Sequence, residues 1–450
     1  MTDNQSIVTN IDVLGPARIA SPLPMQKFIQ NEKKLTMHVS SETAGDLLGK
    51  TRIYDFEEAG PRKKIYFDPR KTKCAIATCG GLCPGTNDVI RAIVMEAHFQ
   101  YSVSLTLGIR FGLQGFIPDF GHDIMELTPD VVSRAHEFGG TILGSSRGHQ
   151  PIDEIVEALE RMNINILFLI GGDGTMKAAS AINKHIQEQK LKISIVSIPK
   201  TIDNDIYFIS ESFGFDTAVS KATEAVRCAH TEAMGAPHGI GLVKLMGREA
   251  GFIAAEAALA MRDVNFVLVP EAPFSLEGPT GFLAALKNRV KSRGHAVVVV
   301  AEGAGQEICR SCQGKEGECR FDVSGNPVLE DFSGLLQREI KQYFQAEGME
   351  ITLKFIDPSY IIRSVPANSR DCVYCGFLGQ HAVHAAMAGK TNLVVSKLND
   401  RYVYLPLDLV THKRRTMNIN SNYWRAVLAS TGQPVDLCGN QQNEQGGALP

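Results

Sequence analysis

The sequence predicts an α/β protein made of two Rossmann-like parallel-sheet lobes with a cleft between them, preceded by an N-terminal extension and followed by a C-terminal helix. Three observations carry that prediction. Short apolar runs alternate with amphipathic helical stretches along most of the chain, the pattern of parallel sheets covered by helices. Several apolar runs end in glycine-rich turns that open a helix, as strand-to-helix loops do at the carboxyl edge of such sheets. The 450 residues, 44% of them hydrophobic, exceed one ordinary core and supply apolar material for two.

The elements follow in order. Residues 1–70 read as an irregular extension, with Pro16, Pro22 and Pro24 early and mixed charge later. A first lobe is expected over 71–235. Its buried strand Cys74–Thr78 runs into Gly80-Gly81 and is followed by a helix over Asn87–Phe99. Pro129–Phe138 reads as helix, opened by Thr128-Pro129 and stopped by Gly139-Gly140. Ile155, Ala158, Leu159 and Met162 give Ile152–Met162 one buried helical face. The strand Ile164–Ile170, a helix over Thr175–Gln189 and the strand Ile193–Ile198 continue the alternation. A second lobe, 236–410, carries strand-like runs at Ile240–Leu245, Phe266–Val269 and Ala296–Ala301, with a helix expected from Glu249 to Met261. Cys309–Asn326 reads as a glycine- and cysteine-rich loop insert. The final segment, 411–450, holds one more helix over Asn420–Thr431.

Bulk properties exclude several function classes. A net charge of -3 with well-mixed signs argues against a nucleic-acid partner. A phosphorylated substrate must then be held by a few local cations. No apolar run is long enough to span a bilayer, and Met1–Ala20, with Asp3 and Asp12, does not read as a secretory signal. The expected location is the cytoplasm, where many of the ten cysteines pack as small hydrophobes. Cys309-x-x-Cys312, with Cys319 nearby, and Cys372-x-x-Cys375 could form a zinc site or be coincidental thiols, and no metal is assigned to them.

The chemistry concentrates in loops at strand ends. Cys79–Asn87 (Cys-Gly-Gly-Leu-Cys-Pro-Gly-Thr-Asn) lets backbone approach a phosphate, although a Gly-rich turn is as often a tight connection. Gly171-Gly172-Asp173-Gly174-Thr175 reads as a phosphate cradle with Asp173 toward Mg²⁺; the plain alternative is a helix cap. Pro199-Lys-Thr-Ile-Asp-Asn-Asp205 puts two carboxylates and a lysine within a few residues. A kinase acting on an alcohol needs a base for the hydroxyl proton and a cation for the transferring oxygens. An Asx-turn beside a solvated lysine is the bland reading. Met246-Gly247-Arg248, Glu302-Gly303, Ser359–Arg363 with Tyr360 and Arg363, and Gly144–Arg147 add anion binders, a carboxylate and glycines at further strand ends.

These motifs, in this order, together with Phe213–Ala218, resemble the ATP-dependent 6-phosphofructokinases, more closely the plant and trypanosomatid branch than the short bacterial enzymes. The resemblance covers about Arg62 to Thr431. It implies an enzyme of glycolysis that moves the γ-phosphoryl group of MgATP to the 1-hydroxyl of fructose 6-phosphate. It further implies that Gly81, Arg147, Gly148, Gly172, Asp173, Gly174 and Thr175 bind ATP, with Asp173 on Mg²⁺. Asp203 would be the general base, Lys200 and Arg147 would offset phosphoryl charge, and Arg248 would be catalytic with Asp203 and Lys200. Thr201, Ile202, Asp203, Asp205, Met246, Gly247, Arg248, Glu302, Lys354, Tyr360 and Arg363 would position the sugar phosphate. A homo-oligomer, a tetramer in this family, and allosteric control are also implied.

The donor is read from two positions. Pyrophosphate-dependent relatives usually carry Asp where Gly174 stands, whereas Lys200 is similar to the pyrophosphate enzymes. The combination is similar to the trypanosomatid ATP-dependent class. Gly239 stands where short bacterial members carry an arginine that reaches a neighbouring subunit, and another bacterial cation corresponds to Lys354. The Gly-Gly-Asp-Gly-Thr motif also occurs in NAD kinases and lipid kinases, but those lack Pro-Lys-Thr-Ile-Asp-Asn-Asp. A catalytically dead paralogue would have lost Asp203, Asp173 or Arg248, and all three are present.

Overall fold

The computed structural model describes residues 9–24, 27–37, 55–312, 320–321 and 327–438. Two compact units emerge: Met1–Asp216 with Arg363–Arg415, and Thr217–Ile362 with Thr416–Pro450. Both are α/β with parallel strands at their centre.

The first unit is built on a nine-stranded sheet in the order Lys34–Thr36, Asp55–Glu58, Arg401–Pro406, Leu393–Leu398, Ser194–Pro199, Ile166–Gly171, Lys73–Thr78, Leu105–Ile109, Ile124–Glu126. The five from Leu393–Leu398 to Leu105–Ile109 run parallel, and the flanking strands are antiparallel. Ile166–Gly171 and Ser194–Pro199 are buried at every residue, which is why they read as continuous apolar runs rather than alternating ones. From Lys73–Thr78 the chain builds outward to Leu105–Ile109 and Ile124–Glu126, then returns to lay Ile166–Gly171 on the other side of Lys73–Thr78. The order reverses there, so the loops leaving those two strands diverge and open a crevice at the carboxyl edge.

Helix Asp173–Glu188 buries Met176, Ala179, Ile182 and Ile186, a single face at helical spacing. Helix Ser369–Met387, capped by the Asn368 side chain, packs on helix Thr86–Met95. A Cβ at Gly379 would lie 2.6 Å from Ala92 Cβ, so glycine is what permits that close crossing.

The second unit holds a four-stranded, fully parallel sheet in the order Phe266–Leu268, His295–Ala301, Gly239–Leu245, Thr352–Ile356. Its core gathers Ile240, Leu242, Val298 and Val300 with helix residues Phe282, Leu286, Leu336 and Ile340. Helix Asn422–Thr431, with Trp424 buried, closes this unit.

Four expectations are corrected. The N-terminal extension is not wholly irregular: Lys34–Thr36 and Asp55–Glu58 extend the main sheet, because their backbones complete an otherwise open antiparallel edge. Pro129–Phe138 is not one helix but Pro129–Val132 and a separate turn at Ala135–Glu137. The helix expected from Glu249 starts at Phe252, after Gly251, whose N–H is taken by the Glu271 carboxylate. Cys309 and Cys312 lie on a helix, Gln306–Cys312, not in a loop. Cys319 and most of the rest of that insert lie outside the described residues.

Candidate active site

At the carboxyl edge of the first sheet, four loops meet. Cys79 pairs with Ser146 in a parallel bridge, Gly80 N–H donates to the Ser146 carbonyl (3.0 Å), and Ser145 Oγ donates to the Gly80 carbonyl (2.6 Å). The Gly80–Gly81 turn and the Gly144–Gly148 loop are thereby locked together. A Cβ at Gly81 would sit 3.2 Å from the Arg147 guanidinium, so Arg147 lies over the turn. The Lys200 N–H donates to the Gly171 carbonyl (2.9 Å), and its ammonium reaches the Gly81 carbonyl (2.5 Å). Lys200 is 6% exposed; burial lowers its pKa, and the thiols of Cys83 and Cys79 oppose that shift.

Asp173 is the first residue of its helix, behind Gly172, which offers no side-chain cap. The helix therefore presents free N–H groups beside a carboxylate. Thr175, buried one turn in, packs directly against Gly171, where a Cβ would lie 2.2 Å from its Oγ1. A Cβ at Gly174 would meet nothing within 4 Å, so that position faces open space. Asp173 Oδ2 pairs with Lys177 (2.8 Å) and lies 4.0 Å from Arg414 Nε.

The Lys200–Asp205 loop is held by its own side chains. Thr201 Oγ1 donates to Asp205 Oδ1 (2.9 Å) and accepts from the Asp203 N–H (3.2 Å). Asn204, in a left-handed conformation (φ 56°), ties the loop to Ser210 and Ser212. Ser212 Oγ donates to the Thr201 carbonyl (2.7 Å), and Ile202 is buried beneath. Asp203 is half-buried at the turn of this loop. The first unit therefore brings Gly81, Arg147, Gly172, Asp173, Lys200 and Thr201 onto interlocked loops at one sheet edge, with Gly148, Gly174, Thr175, Ile202, Asp203 and Asp205 adjoining in the chain.

Sequence reasoning missed Arg414 and Arg415. Arg415 donates to the carbonyls of Asn204 (3.2 Å) and Ser210 (2.9 Å), and its N–H donates to the Asp205 carbonyl (2.8 Å). Arg414 lies 3.8 Å from Asp205 Oδ2. The available signal was the basic run His412–Arg415 shortly after the largely apolar Leu405–Val410 stretch.

In the second unit, Met246-Gly247-Arg248 leaves the carboxyl end of Gly239–Leu245. Gly247 has φ +130°, and a Cβ would lie 2.6 Å from the Ala250 carbonyl oxygen, so glycine is required by both strain and space. Glu302 N–H donates to the Leu245 carbonyl (2.9 Å) and Gly303 N–H to the Gly247 carbonyl (3.1 Å). A Cβ at Gly303 would overlap the Arg248 carbonyl. Met246, Gly247, Arg248 and Glu302 thus share one edge. Tyr360 is 75% exposed in helix Ser359–Ser364, which also carries Arg363.

Lys354, expected to help position the sugar phosphate, lies in strand Thr352–Ile356. It stands opposite Gly241 on the edge strand, 3.6 Å from the Glu232 carboxylate. The Gly239–Leu245 strand runs four residues beyond Gly241, about 13 Å at strand rise. Within this unit Lys354 therefore lies mid-strand, short of the edge that carries Met246–Arg248. Gly239 has its own steric reason: a Cβ there would lie 2.0 Å from the Ala233 carbonyl, which excludes a longer side chain.

Among the described residues no group of three or more His, Cys, Asp or Glu side chains is arranged to hold a metal. A single carboxylate at a helix start beside open space suits an Mg²⁺ that arrives with phosphate ligands of its own.

Comparison with known proteins then gives the following. The phosphofructokinase family model matches residues 73–386. An ATP-dependent 6-phosphofructokinase of Borreliella burgdorferi is 47% identical over 448 residues, covering 96% of this chain and 98% of that one. One of Amycolatopsis methanolica is 47% identical over 85% of this chain and 83% of its own. A chloroplastic one of Arabidopsis thaliana is 48% identical over 84% of this chain and 68% of its own. The fold is shared with the pyrophosphate-dependent phosphofructokinase crystal structure from Marinobacter aquaeolei (TM-score 0.64, 21% identity, 80% of this chain, 91% of that one).

Proposed function

The chain belongs to the phosphofructokinase family, and from that premise we infer that it transfers the γ-phosphoryl group of ATP to the 1-hydroxyl of fructose 6-phosphate, giving fructose 1,6-bisphosphate and ADP. The observation that carries the choice of donor is Gly174. Its missing side chain leaves open space beside Asp173 at a helix N-terminus, room in which a nucleotide's phosphates fit.

Phosphoryl transfer asks a protein for positioning and charge stabilisation. Asp203 takes the proton from the sugar hydroxyl; the hydrogen bonds of Thr201 to Asp203 N–H and Asp205 keep that loop in one conformation. Lys200 and Arg147 supply positive charge beside the Gly80–Gly81 turn. Gly81, Gly148, Gly172, Gly174 and Thr175 offer backbone and hydroxyl groups to the nucleotide. Asp173 holds Mg²⁺, which supplies charge neutralisation to the phosphates when bound. Met246, Gly247, Arg248, Glu302, Tyr360 and Arg363 position fructose 6-phosphate; Gly247 and Gly303 let the backbone at Ala250 and Arg248 pack tightly, which fixes that loop.

No helix among the described residues is long and apolar enough to cross a membrane. The cytoplasm as its location and a homotetramer as its assembly complete the proposal; fractionation and sedimentation test them. The central test is fructose 1,6-bisphosphate formation by purified protein with Mg²⁺ and either ATP or pyrophosphate as sole donor. Product with ATP alone is expected. Product with pyrophosphate alone would make Lys200 the better guide to the donor and overturn the reading of Gly174.

A further inference from the structure

In the first unit a cavity of about 970 Å³ lies between the N-terminal arm and the amino-terminal edge of the main sheet. The arm is pinned around it: Leu14 N–H donates to the Gly389 carbonyl (2.8 Å), Ser21 N–H to Lys63 (3.0 Å) and Ile29 N–H to Pro61 (3.0 Å). Ile29 fits against Gly60, where a Cβ would lie 2.9 Å from its Cγ1. The space is thus walled by ordered backbone.

Its lining is strongly basic. Lys27, Arg62, Lys63, Lys64 and Lys390 contribute five cations against the one carboxylate of Glu32. Arg62 (3% exposed) and Lys390 (6% exposed) are both buried, and both bind the same oxygen, Glu57 Oε1, at 2.6 Å. One carboxylate cannot neutralise two cations, so a net positive charge is left at the cavity wall. The other Arg62 donors go to the Gly60 and Glu58 backbone carbonyls, which hold its guanidinium in place without neutralising it. Phe28 and Ile29 add apolar wall.

We propose that this cavity is a binding site for a small phosphorylated metabolite. The volume is that of a ligand pocket rather than of a single ion. The cation excess is local, because the whole chain carries a net charge of -3. The site is separate from the catalytic loops. Ser194 Oγ donates to the Lys390 carbonyl (2.6 Å) at the start of the Ser194–Pro199 strand, whereas Lys200 follows its end, about 20 Å away at strand rise. Burial lowers the pKa of Lys390, with Glu57 opposing and Arg62 reinforcing that shift; a bound phosphate would favour the charged form.

The test is calorimetric titration of the full chain with inorganic pyrophosphate, in EDTA, comparing three proteins. Wild type is expected to show a saturable class of sites that weakens about tenfold or more in Lys63→Gln/Lys64→Gln, whose positions are exposed and outside the catalytic loops. Turnover with MgATP should be unchanged in that variant. The control Lys184→Gln/Lys291→Gln, with the same loss of charge outside the cavity, should bind as wild type does. Absence of any class sensitive to Lys63 and Lys64, or an equal loss in the control pair, overturns the proposal. Displacement of pyrophosphate by an equally charged tricarboxylate at equal concentration would overturn the assignment to phosphate.

Discussion

Replacing Gly174 by Asp isolates the donor argument. Gly174 follows Asp173 in the first turn of helix Asp173–Glu188, and a Cβ there meets nothing within 4 Å. The fold should therefore accept the side chain. An acid in the first turn interacts favourably with the helix dipole, worth about 0.3–1 kcal/mol, and Gly is itself a poor helix former. Tm should stay level or rise by about 1–3 °C. The cost falls on the nucleotide. A carboxylate roughly 5 Å from a phosphate oxygen opposes it by about 3 kcal/mol at an effective dielectric near 20. That corresponds to a fall of about two orders of magnitude in kcat/KM for MgATP. Gly174→Ala separates charge from volume and should keep ATP activity within about threefold, since the methyl group enters empty space. The assay is initial-rate kinetics with MgATP for both variants beside a thermal melt. Full ATP activity in Gly174→Asp with an unchanged melt would refute the reasoning. A melt lowered by several degrees in either variant would refute the open geometry at Gly174.

Three further outcomes are expected. Asp203→Asn should lower kcat by about 10²–10⁴ while fructose 6-phosphate still binds, measured by equilibrium dialysis; a kcat near wild type would remove Asp203 as the base. Arg415→Ala removes two guanidinium bonds to the Asn204 and Ser210 carbonyls, so it should cost about 1–2 kcal/mol in denaturant stability and lower kcat through a looser Asp203 loop. Unchanged kcat would confine Arg415 to stability. Glu96, Tyr101 and His384 form a buried group in which His384 Nε2 lies 3.7 Å from Glu96 Oε1 and Tyr101 bonds His384 Nδ1 at 2.8 Å. Burial raises Glu96 to about 7; burial, then His381 and Arg62, lower His384 to about 3. The pair is thus mainly uncharged in mildly acidic solution, not an ion pair. The Glu96 contribution is full below its unfolded value near 4.5 and is lost as pH rises through about 7, by up to about 3 kcal/mol. Glu96→Gln should flatten the stability profile over that window; an unaltered profile would show that Glu96 titrates normally.

Much of the protein was legible in the sequence because its grammar is local. Ile166–Gly171 is apolar throughout and Ser194–Pro199 largely so, as strands buried on both faces must be, and the first of them runs straight into a glycine-rich turn. Asp173, Lys200 and Asp203 follow strand ends, so their common edge could be reasoned from the chain alone. Cys309–Cys312 misread as loop because a seven-residue helix in a Gly- and Cys-rich surround gives too few turns for a period to show.

The sequence by itself determined the fold class, the family and most of the candidate residues, since strand, turn and helix signals act over a few neighbours. Only the tertiary structure decided the rest. It set Arg414 and Arg415 beside the Asp205 loop from two hundred residues away, and gathered Lys27, Arg62 and Lys390 around one cavity. Those placements depend on strand order and register, which arise from long-range packing that no local pattern encodes.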